Sequence, residues 1–322
     1  MIKDTIDKEL LERFEAGLNP LNPSLSTIPA EIIGYGEMST IFVIDDPSQK
    51  GLAYKRMPIF RSIEELDQYE RLYEEYNTLL GRIGLSVPEF ASVRVFPEKG
   101  NMVIYNVQER LTANSVCNQL IHRLDSGSIN TLFILVLRDL KKVFGFNAGD
   151  GHIQLGIDGQ ISNWAVKDYR ENRIIHEHTE LFYFDTSTPL MRKNEVEQLN
   201  PELFLRSAPS FLVWLVRWLF LEDVMTRYYD FRKVTIDLIA NFYKEQRSDL
   251  IPLLVDTANN FFTTEAGEFS LSPITIKEVS AYYREDAMIW RIYLALRKID
   301  RLLHLRILKK PYVYILPGKI KR

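Results

Sequence analysis

The sequence predicts an α+β protein in two parts, a small β-rich part carrying one helix and a larger, mainly helical part. Three observations lead there. Short apolar runs bounded by turn residues fill Ala30 to Val107. One segment among them, Ile63 to Ile83, instead repeats apolar residues at spacings of three and four. Beyond Pro201 helical spacing prevails almost to the end of the chain.

Element by element, residues 1 to about 18 read as a short amphipathic helix with Leu10, Leu11 and Phe14 on one side, closed by an Asn-Pro-Leu-Asn-Pro linker. Glu31-Ile32-Ile33, Thr40 to Ile44 and Gly51 to Lys55 then form a three-stranded antiparallel meander, with Asp45-Asp46-Pro47-Ser48 as a turn. The helix over Ile63 to Ile83 presents Leu66, Tyr69, Tyr73, Tyr76 and Leu80 as its apolar face. Ala91 to Val95 and Met102 to Val107 complete a five-stranded sheet. A helix is expected over Ile129 to Phe144, strands and hairpins over Gly151 to Asp185, and helices over Phe211 to Asp230, Lys233 to Gln246, Leu250 to Phe262 and Ile276 to Leu308. The expected organisation is an N-terminal helix and linker over 1–29, a β-rich lobe over 30–107 and a helical lobe over 108–322.

Composition narrows the function classes. The 322 residues, 46% of them hydrophobic, suffice for substantial cores. A formal net charge of −3 lacks the basic footprint of a nucleic-acid binder. Cys117 is the single cysteine, so no internal disulfide forms and a reducing compartment is expected. Acidic residues near the N-terminus stand where a secretory signal would be basic and then apolar, so a cytoplasmic location is expected. The apolar run Phe211 to Met225 contains Arg217, Glu222 and Asp223 and reads as a core helix with no transmembrane role.

Four short signals carry chemistry. In Gly34-Tyr35-Gly36-Glu37-Met38-Ser39, glycines let the backbone approach phosphate oxygens, and Ser39 offers a hydroxyl. The turn lies between strands and lacks Gly-Lys-Ser/Thr, so it is no Walker loop, and a purely geometric hairpin turn is the competing use. Lys55 sits on the third strand amid Leu52, Ala53 and Tyr54, and the helix that follows carries the glutamates that could meet its ammonium. Helical angles favour Glu74, with Glu75 and Glu70 as alternatives. Asp158 and Asn163 are five residues apart, directly before the apolar Trp164-Ala165-Val166. The competing use of Ile157 to Gln160 is a two-residue hairpin turn. Asp185 closes the strand Leu181 to Phe184, with a carboxylate at its end.

In that order, these residues resemble the protein-kinase-like superfamily, more its aminoglycoside phosphotransferase and choline kinase branch than the protein kinases. The resemblance implies a bilobal kinase-like fold that binds ATP and Mg²⁺ and phosphorylates a small-molecule hydroxyl. It further implies phosphate contact at Gly34, Gly36 and Ser39, phosphate pairing by Lys55, a supporting carboxylate at Glu74 or Glu75, Asp158 as catalytic base, and metal binding by Asn163 and Asp185. The departures are Gly156-Ile157 ahead of the aspartate and Gln160 two residues after it, where the family carries aromatic, basic or histidine supports. They leave a pseudokinase-like scaffold, binding nucleotide or a protein without turnover, as the alternative.

Two further features compete with bland uses. His176-Glu177-His178 reads as a solvated hairpin lacking a third metal ligand. The basic tail from Arg291 would suit an anionic partner, but Ile292, Leu296, Ile299, Leu303 and Ile307 predict a docked helix with a basic outer face. Aromatic residues such as Trp214, Trp218, Tyr228, Tyr229, Tyr282 and Tyr283 are available to line an acceptor pocket or to fill the core.

Overall fold

The protein was analysed as a computed structural model, which describes residues 2–36, 39–98, 102–149, 151–171, 174–200, 202–206, 226–310 and 312–317. The expected helix Phe211 to Asp230 lies outside the described residues up to 225, as do Trp214 and Trp218, and so do Lys319, Lys321 and Arg322 of the tail.

Alternation of apolar and polar residues builds a five-stranded antiparallel sheet in the order β1-β2-β3-β5-β4. Its strands are β1 (Ala30–Tyr35), β2 (Thr40–Ile44), β3 (Leu52–Phe60), β4 (Phe90–Val95) and β5 (Met102–Glu109). β3 runs past the expected Lys55 because Met57, Ile59 and Phe60 continue the apolar pattern, with the register shift between Met57 and Phe60 absorbing Pro58. The period of two sorts the faces. Leu52, Tyr54, Phe42, Ile44, Tyr105 and Val107 pack on one side with Leu11 and Phe14 of α1 (Lys8–Gly17). Met57 and Ile104 pack on the other with α2 (Ile63–Arg82).

Lys55, paired in register with Asn106 of β5, shares the α2 side, and Arg56 shares the α1 side. Arg56 is buried there against Glu15 of α1, with Nε to Oε2 at 2.7 Å and Nη2 to Oε1 at 2.6 Å, and its Nη1 donates to the carbonyl of Val313 at 2.9 Å. The Tyr105 hydroxyl also donates to Glu15, at 2.5 Å.

The rest of the chain starts with α3 (Cys117–Leu120) and α4 (Ser126–Asn147), the latter capped by the Asp125 carboxylate on the amide of Ser128. Short strands follow, β6 (Ile153–Leu155), β7 (Trp164–Val166), β8 (Leu181–Tyr183), β9 (Met191–Lys193) and β10 (Val196–Glu197). β6 pairs with β9, and β7 with β8. The segment between β6 and β7 is therefore a crossing loop that ends in a 3₁₀ turn at Ile161–Asn163, which removes the two-residue hairpin reading of Ile157 to Gln160. Beyond α5 (Glu202–Leu205), α6 (Phe231–Lys244), α7 (Ile251–Thr264) and α8 (Ile276–Leu302) complete the described helices.

The C-terminal expectation fails in its orientation. On α8 the supposed inner residues Ile292 and Ile299 are exposed, whereas Arg297 and Asp300 are buried. Arg297 lies against the rings of Tyr293 and Tyr314, at 5.6 and 5.4 Å, because residues 312–317 return in extended form and cover it.

Candidate active site

The site is assembled where β3 faces the β7–β8 ribbon. Trp164 pairs with Tyr183 across that ribbon, and the amide of Phe184 donates to the carbonyl of Asn163 at 3.1 Å. Asn163 and Asp185 are thereby fixed at one end of the same hairpin. Lys55 reaches over from the sheet, and its Nζ lies 2.6 Å from Asp185 Oδ1, across 130 residues of sequence. Ser187 Oγ donates to the same oxygen at 3.2 Å. Burial alone would raise Asp185, but Lys55 and Ser187 outweigh it, and the carboxyl lies below its usual range.

Gly36, directly after β1, lies beside Lys55. The Gly36 amide donates to the Ser39 carbonyl at 3.0 Å. A Cβ on Gly36 would meet Ser39 Oγ, the end of a side chain that can rotate, and would lie 3.7 Å from Cε of Lys55, so the backbone at 36 runs close beside the lysine. Gly34 sits at the register shift of β1 on β2, where a Cβ would meet Ile41 Cδ1 at 2.9 Å. Ser39 is buried. Glu37 and Met38 lie outside the described residues.

Lys55 does not pair with a glutamate of α2. Glu74 points to solvent, Glu75 bonds Lys193 of β9 at 2.7 Å, and Glu70 pairs with Arg94 of β4. The physical reason is the helix face. The residues that α2 turns toward the cleft are Tyr69, Tyr73 and Tyr76, all buried, and the glutamates between them rotate outward. The tyrosines act as braces. Tyr69 donates to the Ser187 carbonyl at 2.7 Å and receives Asn106 Nδ2 at 2.5 Å. Tyr76 donates to the Gly156 carbonyl at 2.7 Å.

Asp158 occupies the loop that Tyr76 braces. Gly156 and Ile157 are held by the main chain, with Gly156 N on the Leu190 carbonyl at 2.9 Å and Ile157 N on the Tyr228 carbonyl at 3.0 Å. A side chain at 156 would strike Leu190 Cβ at 2.9 Å and the Tyr229 ring at 3.0 Å. Asn163 Nδ2 donates to the Asp158 carbonyl at 3.1 Å, and the Gln160 amide to Asp158 Oδ1 at 3.2 Å. Burial pushes the Asp158 carboxyl up to about 7, aided by the negative charges of Asp237 and Asp185.

Sequence reasoning places the helix α6 but misses its polar face. Asp237, Asn241 and Lys244 lie on one of its faces and all meet the Gln160 side chain, at 3.4, 3.2 and 3.2 Å. Asp237 is buried, and burial raises its carboxyl against the opposing pull of Arg227. The available signal is a lone acid within the apolar run Val234 to Phe242. Ser187, two residues past Asp185, is a second omission. His176 and His178 stay in an exposed turn, and no group of three or more His, Cys, Asp or Glu suited to a metal occurs among the described residues.

A family model described as "Family of unknown function (DUF6206)" matches residues 26–302. The chain belongs to the DUF6206 family. No curated protein matches it. Among solved structures it is similar to "WaaP in complex with acyl carrier protein", with 11% identity, a TM-score of 0.35 and coverage of 81% of this chain and 88% of that one. It is also similar to the GDP complex of wild-type aminoglycoside 2'-phosphotransferase-IIIa, with 11% identity, a TM-score of 0.33 and coverage of 74% and 95%. The GDP complex of a point mutant of that enzyme matches with the same identity and TM-score over 73% and 92%. Superpositions this loose leave the functional reading to the side chains of the site itself. No described helix is long and apolar enough to cross a membrane.

Proposed function

We propose that the chain is a kinase-like phosphotransferase that moves the terminal phosphoryl group of ATP to a small-molecule hydroxyl. The observation that carries this reading is the meeting of Lys55 with Asp185 at 2.6 Å, on the same hairpin end as Asn163 and beside the loop of Asp158. Phosphates would lie under the Gly34–Ser39 turn, with their charge met by Lys55. Asp158 would accept the acceptor's hydroxyl proton as its oxygen bonds the phosphorus and the bond to the departing diphosphate breaks. A carboxyl held up to about 7 suits a base working near neutrality.

The donor set fits Mg²⁺. A carboxylate from Asp185 and an amide oxygen from Asn163 are hard ligands, and Mg²⁺ habitually takes one or two such protein oxygens and completes its shell with phosphates and water. When bound, it would offset charge on the phosphates. Its arrival would compete with Lys55 for Asp185; a scaffold in which this ion pair is structural and persists is the second reading.

Thermal shift with Mg-ATP tests the nucleotide site, and ADP release that is lost in Asp158→Asn separates transfer from a scaffold that binds without turnover. The native chain and a Glu75→Ala control should be stabilised, and Lys55→Ala and Asp185→Ala should not. Equal shifts in all four proteins, or none in the native chain at millimolar nucleotide, would sink the proposal.

A further inference from the structure

The C-terminal half of α8 is inverted relative to an ordinary surface helix. Met288, Ile292, Ala295, Ile299 and Leu302 recur at alternating spacings of four and three, which places them in one line along the helix. That line faces outward, with Met288 at 52%, Ile299 at 45% and Leu302 at 49% exposure. The opposite side is the buried one, where Arg297 rests on Tyr293 and Tyr314 and Asp300 meets His304 at 3.3 Å. The ridge continues into the π-helical turn Leu303–Ile307, where Leu305 and Ile307 are exposed, and ends on exposed Leu308. A contiguous apolar ridge in water marks a contact surface.

The charges around the ridge select its occupant. Arg291, Lys298, Arg306, Lys309 and Lys310 flank it and are all exposed. From 287 to 317 the sole acid is Asp300, which is buried on the far side. A second copy laid along this helix would bring cations against cations. We propose that this face docks on an anionic lipid surface, the apolar ridge entering the acyl boundary and the flanking cations meeting the headgroups. The chain as a whole carries a net charge of −3, so its overall charge does not supply the attraction and this face must.

The test is co-sedimentation of the full chain with phosphatidylcholine vesicles, with and without phosphatidylglycerol. Binding is expected to the mixed vesicles alone and to weaken as salt rises. Ile299→Glu with Leu302→Glu should abolish it. Lys309→Ala with Lys310→Ala should weaken it about thirtyfold, at about 1 kcal/mol per cation. Both sites are solvent-facing, and should the glutamate variant fail to fold, the lysine variant carries the test alone. The proposal is overturned by absence of binding to the mixed vesicles or by equal binding to phosphatidylcholine alone. Sedimentation equilibrium showing a dimer that Ile299→Glu dissolves would make a second copy the occupant and overturn it as well.

Discussion

Replacing Asp158 by asparagine should make the protein more stable at pH 8 while removing the proposed base. The carboxyl titrates at about 7 in the folded chain against an ordinary value of 3.8, held up by burial and by Asp237 and Asp185. Between those values the folded state binds more protons than the unfolded one, so Asp158 lowers stability progressively as pH rises through this window. Above the folded value the full penalty is present, about 4 kcal/mol as an upper bound, because each tenfold difference in proton affinity between the two states is worth about 1.4 kcal/mol. Asparagine keeps an oxygen for the Gln160 amide at 3.2 Å and carries no charge. With an unfolding entropy of about 2.1 cal/mol/K per residue, the gain corresponds to a rise in Tm of up to about 6 °C at pH 8. By the same linkage it should fall by more than half at pH 5. Calorimetric melting of both proteins across pH 5 to 8 reads this directly. A variant that melts at or below the native temperature at pH 8, or a gap independent of pH, would refute the reading that burial beside Asp237 and Asp185 penalises the Asp158 carboxylate.

Two further substitutions probe the frame around the site. Glu15→Ala leaves the buried Arg56 guanidinium without its carboxylate and should cost about 3–5 kcal/mol in urea unfolding at pH 7. Burial raises Glu15, but Arg56 and Tyr105 outweigh it and hold its carboxyl below 4.5, so its contribution is complete above 4.5 and the gap to the variant should close as acid protonates it. Tyr76→Phe removes the hydroxyl that the Gly156 carbonyl accepts at 2.7 Å and should cost about 1–3 kcal/mol for the buried carbonyl left behind. An unchanged urea midpoint would show that the loop before Asp158 does not depend on α2.

The five strands and α2 are legible in the sequence because their periods are local: alternation reveals a half-buried strand, and spacings of three and four reveal a helix face. Tyr69, Tyr73 and Tyr76 accordingly stand out as the inner face of α2. Their hydroxyl partners are out of reach, since Ser187 and Gly156 lie 118 and 80 residues further on. The same limit explains Lys55. Chain order marks it and Asp185, but a helical wheel cannot say which carboxylate a lysine from another element will meet, and the α2 glutamates serve Arg94 and Lys193 instead. On α8 the periodicity is legible and its direction is not. Burial of Arg297 depends on Tyr314 returning from beyond the helix, and no spacing within the helix encodes that.

Arg56 ties together parts of the chain that are made at very different times. Its guanidinium spans from Glu15, 41 residues before it, to Val313, 257 residues after it. Closing the longer loop brings no local reward along the way, because the entropy of closure precedes the contact that repays it. During synthesis at about 5–20 residues per second, the sheet would therefore exist with Arg56 half-satisfied for about 10 to 40 seconds before Val313 is made. The outer face of the first sheet to be synthesised is thus among the last surfaces of the molecule to be finished.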